Sequence, residues 1–252
     1  MQSLGIIGLG AFGQLLAEQL RPYFEIKATD PSAEAATFAN EHNIPLVTLE
    51  QCARCKYLVL AVPILQIGTV VQAIAPFVQA GSTVFDVASV KLGPARQMRD
   101  GLPGNVRIIG THPLFGPQSA KTGMDGLKIA ICPIRGVGPT RIRHLIRFLS
   151  ENLKLDAYAS DPDTHDHDMA MVQGLTHLVA KVLHQMKPLP DRQTTLSFDL
   201  LVQSMQLVQG DSEALFRAIE QENPYSSEVR SRFFQLIDEL RTDLEQDQPT
   251  EE

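Results

Sequence analysis

Hydrophobic positions along the chain fall into two regimes. Up to about residue 159, short apolar runs alternate with amphipathic stretches. Strands are predicted at 4–7, 24–29, 57–62, 83–86, 106–110, 128–132 and 155–159, with helices at about 32–41, 65–77, from near 90, and at 139–152. Repeated strand–helix units of this kind imply a parallel, doubly wound sheet with ligands at the carboxyl ends of its strands. From Asp161 no strand pattern is convincing. Met169, Val172, Leu175, Val179, Val182, Leu183 and Met186 recur at helical spacing ahead of Pro188 and Pro190, and more helices are predicted at 195–208, 212–222 and 226–245. The expected class is α/β: a sheet domain over 1–159, an all-helical substrate and dimerisation domain over 160–245, and an acidic flexible tail at 246–252. Val202, Met205 and Val208 would leave an apolar face in water, so the helices are expected to be shared in a homodimer.

The first strand runs directly into Gly8-Leu9-Gly10-Ala11-Phe12-Gly13 and then into a helix with Leu15, Leu16 and Leu20 on its buried side. This is G-x-G-x-x-G in the strand–turn–helix setting of a dinucleotide site, which makes the first domain Rossmann-type. Gly8 permits the tight turn, Gly10 lets the backbone approach a pyrophosphate, and Gly13 lets the helix pack on the sheet. The helix N-terminus offers free N–H groups to phosphate. Asp30 closes the second strand about 20 residues later, where an acid hydrogen-bonds the adenosine ribose hydroxyls. A carboxylate there repels a 2′-phosphate, and no arginine follows in Pro31-Ser32-Ala33-Glu34, so NAD is expected over NADP. Asp30 is also placed to cap the helix beginning near Ser32. Val62 and Pro63, ending the third strand, are further cofactor candidates.

Composition narrows the class. With 252 residues, 44% of them hydrophobic and 20% charged, the chain can fill one large or two smaller cores. Its 22 basic and 29 acidic residues give a net charge of −7 without any long basic cluster, which argues against a nucleic-acid partner. Apolar runs break well short of the roughly 20 residues that span a bilayer. The N-terminus lacks the basic start of a signal peptide, and a cytoplasmic location is expected. Three cysteines suit a reducing compartment. Cys52 and Cys55 form a C-x-x-C with no second pair, so they are expected to be half-buried thiols on a short helix and not a metal site.

Candidate chemistry gathers around Thr111-His112-Pro113-Leu114-Phe115-Gly116-Pro117. His112 is expected in a loop beyond the strand at 106–110, where an α/β sheet presents reacting groups, and imidazole suits a general base near neutral pH. Ser89, within Asp86-Val87-Ala88-Ser89-Val90-Lys91, occupies the loop after another strand, and Ser119 lies beyond the His112 loop. On the long helix Gln173, His177 and Lys181 stand four residues apart and share a face, so they are candidates to line a cleft.

Taken together, G-L-G-A-F-G, D-V-A-S-V-K, T-H-P-L-F-G-P and the segment H-D-H-D-M-A-M-V-Q-G-L-T-H at 165–177 resemble the prephenate/arogenate dehydrogenase family of tyrosine biosynthesis, to about Leu240. The resemblance implies an NAD-dependent oxidative decarboxylation, expected here for prephenate to 4-hydroxyphenylpyruvate. Arogenate or dual specificity is the alternative, and a non-catalytic NAD-binding protein a third. It implies that His112 accepts the substrate hydroxyl's proton, that Ser89 assists beside the nicotinamide, and that Gln173 and His177 hold the substrate, with Lys181 and Ser119 as additions. It assigns His167-Asp168 to a helix start, so His165, Asp166, His167 and Asp168 are not expected to bind metal. A lysine-based β-hydroxyacid dehydrogenase is argued against by His112 with Ser89.

Two departures bear on the substrate. Phe198-Asp199 stand where prephenate-specific bacterial members often carry an arginine, which leaves Lys181, Arg217, Arg230 or Arg232 to meet the carboxylate. Gly210-Asp211-Ser212 resembles the arogenate-using plant members, in which Asp211 would welcome an ammonium group; Asp211 is equally placed to cap the helix starting at Ser212. With no chorismate mutase helices before Gly8 and few residues after Leu240, a free-standing enzyme is expected.

Overall fold

The computed structural model describes residues 1–246, in two compact units that divide between His165 and Asp166. The tail expected at 246–252 lies, after its first residue, outside the described residues.

In the first unit the predicted strands are present as β1 (Gln2–Ile7), β2 (Phe24–Thr29), β3 (Tyr57–Leu60), β4 (Thr83–Asp86), β5 (Arg107–Pro113), β6 (Lys128–Arg135) and β7 (Asp156–Ala159). They form one sheet in the order β2-β1-β3-β4-β5-β6-β7. The intervening helices are α1 (Ala11–Leu20), α2 (Ala33–Glu41), α3 (Leu49–Ala53), α4 (Ile67–Ile74), α5 (Leu92–Gly101) and α6 (Pro139–Asn152). The chain passes from β1 out to β2 and returns across β1 to β3, so the winding reverses between β1 and β3. Ligands of open α/β sheets bind at that switch point. Successive residues of β1 face opposite sides: Leu4 and Ile6 join the core with Ile26 and Ala28, whereas Ile7 joins Leu58, Leu60, Val84 and Ile108 on the other face. Each of the buried Leu, Ile and Val side chains among these contributes about 1.5–3 kcal/mol.

Every neighbouring pair is parallel except β5 with β6. Between those two strands the chain makes only a short 3-10 turn, Ser119–Thr122, in place of the helical crossover that a parallel return requires, so β6 comes back antiparallel. This pairing also lengthens β5. Its last partner on β4 is Gly110 opposite Asp86, but residues 111–113 continue against β6, with His112 opposite Ala130. His112 therefore lies inside a strand and not in the loop the sequence suggested.

The C-x-x-C pair differs from expectation in burial. α3 is present but ends at Ala53, and Cys52 and Cys55 are both fully buried. Burial, then the neighbouring Cys55, pushes the Cys52 thiol up to about 12, which makes it inert.

The second unit is helical. α7 (Pro162–Met169), which begins in the first unit, continues through a π turn at Ala170–Gly174 into α8 (Leu175–Gln185); α9 (Leu196–Val208), α10 (Glu213–Arg217), a second π turn at Ala218–Glu222 and α11 (Ser226–Gln246) follow. Met205 is buried and Val202 and Val208 half-buried, contrary to the exposed face expected of them, because α9 packs on α8. Other apolar side chains stay exposed instead, among them Val182, Met186, Leu196, Leu200 and Leu207. Among the described residues no helix is long and apolar enough to cross a membrane.

Candidate active site

The glycine turn has the form its sequence predicts. Gly8 adopts a left-handed φ of 95°, and a Cβ there would meet the carbonyl oxygen of Ala61 at 2.4 Å and Val62 at 3.0 Å. A Cβ on Gly13 would meet the Gly8 oxygen at 2.1 Å. Both glycines are required by the protein's own packing. Gly10 is different, because a Cβ on it would meet nothing within 4 Å, yet it caps α1 at the switch point. Bare backbone beside open space at a helix N-terminus fits a pyrophosphate, so the turn can hold a dinucleotide. Leu9, Ala11 and Phe12 are carried on the same turn, with Val62 against Gly8 and Pro63 next in the chain.

Asp30 sits at the end of β2, where its Oδ2 accepts a hydrogen bond from the Leu9 N–H at 2.7 Å and its Oδ1 one from the Ser32 N–H at 2.8 Å. Partial burial works against the charged form, but the Leu9 and Ser32 N–H groups outweigh it and hold the carboxyl below the usual range. The capping role considered for Asp30 belongs to Ser32, whose side chain accepts from Ala35 N.

His112 sits among polar neighbours within the first unit. It is 4% exposed, and its Nδ1 lies 2.8 Å from Nε2 of His165 on α7, itself 3% exposed. Lys91 and Asp86 form a fully buried ion pair beside it; Lys91 Nζ also donates to the Thr111 carbonyl at 2.6 Å, and Thr111 Oγ1 donates to the Asp86 carbonyl at 2.6 Å. These bonds fasten the end of β4 to the stretch of β5 that carries His112. Burial, His165 and Lys91, in that order, hold the imidazole well below its usual 6.5, so it is neutral at neutral pH. Burial pushes the Asp86 carboxyl up while the Lys91 ammonium pulls it back. Ser89, 9% exposed, follows β4, and Ser119 opens the short 3-10 turn after the His112 loop. Phe12 and Phe115 pack with ring centroids 6.1 Å apart, which sets the glycine turn beside the segment that follows His112.

No local pattern links His165 to His112, and only the fold brings together residues 53 apart in sequence. The roles of Lys91 and Asp86 were equally hidden, although both stand in the quoted D-V-A-S-V-K segment. Among the described residues, no group of three His, Cys, Asp or Glu side chains is placed to hold a metal ion.

In the second unit a cavity of about 200 Å³ is lined by His177, Lys181, His184, Asp211, Glu213 and Phe216, among other polar and apolar residues. His177 Nδ1 donates to the Gln173 carbonyl at 2.8 Å, and Nε2 meets Asp211 Oδ2 at 3.0 Å. Ser212, not Asp211, caps α10. Lys181 pairs with Glu213 and lies 4.1 Å above the Phe216 ring. Gln173 is absent from the lining, since its place in the π turn rotates it off the face shared by His177 and Lys181; its Oε1 is buried without a partner. The other cations expected to meet a substrate carboxylate also have acidic neighbours: Arg217 Glu213, Arg230 Glu220 and Arg232 Glu239.

A seven-stranded, mostly parallel sheet with a glycine-rich turn at its switch point, followed by a helical unit, defines a Rossmann-type nucleotide-binding protein. Residues 16–154 match the family described as "Prephenate dehydrogenase, nucleotide-binding domain", and residues 161–252 that described as "Prephenate dehydrogenase, dimerization domain". The chain belongs to the prephenate dehydrogenase family. It is similar to arogenate dehydrogenase 1, chloroplastic, of Arabidopsis thaliana, at 28% identity over 96% of this chain and 39% of the relative, so it spans about two fifths of that protein's length. In structure it resembles prephenate dehydrogenase from A. aeolicus, solved with hydroxyphenyl propionate and NAD+, with a TM-score of 0.77, 18% identity and coverage of 98% and 92% of the two chains. Synechocystis arogenate dehydrogenase gives a TM-score of 0.66, 21% identity and coverage of 97% and 92%.

Proposed function

We propose that this protein is an NAD-dependent cyclohexadienyl dehydrogenase that oxidatively decarboxylates arogenate in preference to prephenate. When bound, NAD+ supplies the hydride acceptor at the carbinol carbon. His112 takes the hydroxyl proton at Nε2, Ser89 supports that hydroxyl, and the ring carboxylate departs as CO2 as the ring becomes aromatic. The observation that carries this reading is a neutral imidazole among polar neighbours on the strand extension, just before the segment that packs on the glycine turn, with Nδ1 engaged and Nε2 making no hydrogen bond among the described residues. A lysine acting as the proton-transfer group is disfavoured, because Lys91 is fully buried and tied to Asp86 and Thr111.

Gln173, His177, Lys181, Asp211 and Ser119 are assigned to substrate binding. The preference for arogenate, reversing the order the sequence suggested, rests on the charge of the cavity in the helical unit. Two carboxylates, Asp211 and Glu213, face one lysine and two histidines, His177 and His184, there, and Lys181 is already paired with Glu213. Such a site suits a side chain carrying an ammonium group and opposes the more anionic keto acid. NAD over NADP follows from Asp30. A homodimer is supported by the dimerization-domain match and by exposed Leu196, Leu200 and Leu207 on α9. The test is side-by-side turnover of arogenate and prephenate with NAD and NADP, reading reduced cofactor and CO2. Arogenate with NAD is expected to give the highest kcat/KM, and turnover of neither substrate would overturn the reading.

A further inference from the structure

The sheet unit contains one pair of buried titratable rings in direct contact that the reaction scheme above uses only in half. Nδ1 of His112 and Nε2 of His165 are 2.8 Å apart, with ring centroids at 5.0 Å and planes at 66°. We infer that His165 is a positioning residue for His112: it fixes the tautomer that leaves Nε2 of His112 unprotonated, and it accepts the hydrogen bond that strengthens when His112 takes a proton. This role rests on the assignment of His112 as the base.

A contact between two imidazoles needs one donor and one acceptor. A base acting through Nε2 of His112 carries its own proton on Nδ1. That N–H must then donate to Nε2 of His165, whose proton in turn sits on its Nδ1. The reverse arrangement would protonate Nε2 of His112 and disable it. Once the substrate's proton reaches Nε2, the Nδ1–H bond to His165 becomes charge-assisted and roughly twice as strong. The new positive charge is thus met by a direct neighbour at a buried position, both rings being no more than 4% exposed.

The partner's chemistry matters as much as its position. In hydrolase triads a carboxylate orients the histidine and stabilises the imidazolium. Here a second imidazole stands in the carboxylate's place and brings no negative charge. Lys91 acts on His112 and Asp86 interacts with His165, and these two charged groups are paired with each other. His112 is therefore kept neutral and oriented at the same time, ready to take a proton rather than already holding one.

Three variants of the full chain separate this role from a structural one. His165→Phe keeps a ring but no acceptor, and kcat is expected to fall at least tenfold with KM for substrate and nucleotide affinity within about threefold of wild type. His165→Gln restores an acceptor oxygen and should recover kcat to within about threefold. His165→Asp places a carboxylate on Nδ1 and should move the acid limb of kcat/KM to higher pH. Nitrogen-15 shifts of wild-type His112 should show Nδ1 protonated and Nε2 bare, a reading that needs no variant to fold. His165→Phe within twofold of wild type, equal losses in Phe and Gln variants, or a proton on Nε2 of His112 would each overturn the inference. His112→Asn, run in parallel, separates the two assignments. If it retains turnover the base itself is misassigned; if it is inactive while His165→Phe is normal, only the positioning role fails.

Discussion

Replacing Lys91 by Met tests how the structure holds the strand that bears His112. The ion pair is sealed, with side-chain exposures of 0% for Lys91 and 1% for Asp86. Met fills most of the stem's volume, so the packing term is small and the electrostatic one dominates. After the change, Asp86 Oδ2 keeps only the Ala88 N–H at 3.0 Å, Oδ1 has no partner already, and the Thr111 carbonyl loses its donor. Removing one member of a buried pair costs about 3–5 kcal/mol, a large share of a domain's roughly 5–15 kcal/mol. Urea unfolding at neutral pH should show that loss. Its pH dependence has a definite sign. Without Lys91 the folded carboxyl is raised further above its unfolded value, so protonation stabilises the fold below about pH 4 and that stability is lost as pH rises through the folded pKa. The deficit should therefore be greatest near neutrality and shrink on acidification. Adding Asp86→Leu should recover most of it. A loss below about 1 kcal/mol, or one independent of pH, would refute the reasoning.

Other outcomes follow from the same geometry. Gly10→Val should weaken nucleotide binding at least tenfold while moving unfolding free energy by no more than about 1 kcal/mol, because its Cβ has open space; Gly13→Ala should fail to fold stably, its Cβ meeting a backbone oxygen at 2.1 Å. Since His112 is held below 6.5, kcat/KM should stay level as pH falls through that value and drop only lower, where the free protein's imidazole protonates; an acid limb at or above 6.5 would contradict this. The same depressed group contributes stability above its unfolded pKa that is lost as pH falls toward the folded one, measurable as a falling Tm. Asp211→Asn should shift the arogenate-to-prephenate ratio of kcat/KM at least tenfold toward prephenate, and an unchanged ratio would remove Asp211 from substrate selection.

Local features of the site were legible because their chemistry is local. The glycine turn and Asp30 declare themselves through spacing, since a tight turn, a close backbone approach and an acid at a strand end each need particular residues at particular offsets. His112 was legible as a candidate but not as a strand residue: its place depends on β6 returning antiparallel, and periodicity records burial without naming the partner strand. Val202, Met205 and Val208 read as exposed because their neighbour α8 is set by tertiary packing. Gln173 read as part of a continuous stripe because a π turn leaves no mark on apolar spacing. His165 could not be paired with His112 from sequence, as nothing in either segment encodes a contact across 53 positions.

The central claim is that the imidazole of His112 removes the substrate's proton, and single-turnover kinetics of His112→Asn with saturating NAD+ and arogenate measure it most directly. The account predicts unchanged nucleotide binding and a rate at least about a hundredfold below wild type, the usual contribution of a general base. A variant that forms NADH at close to the wild-type rate would contradict it.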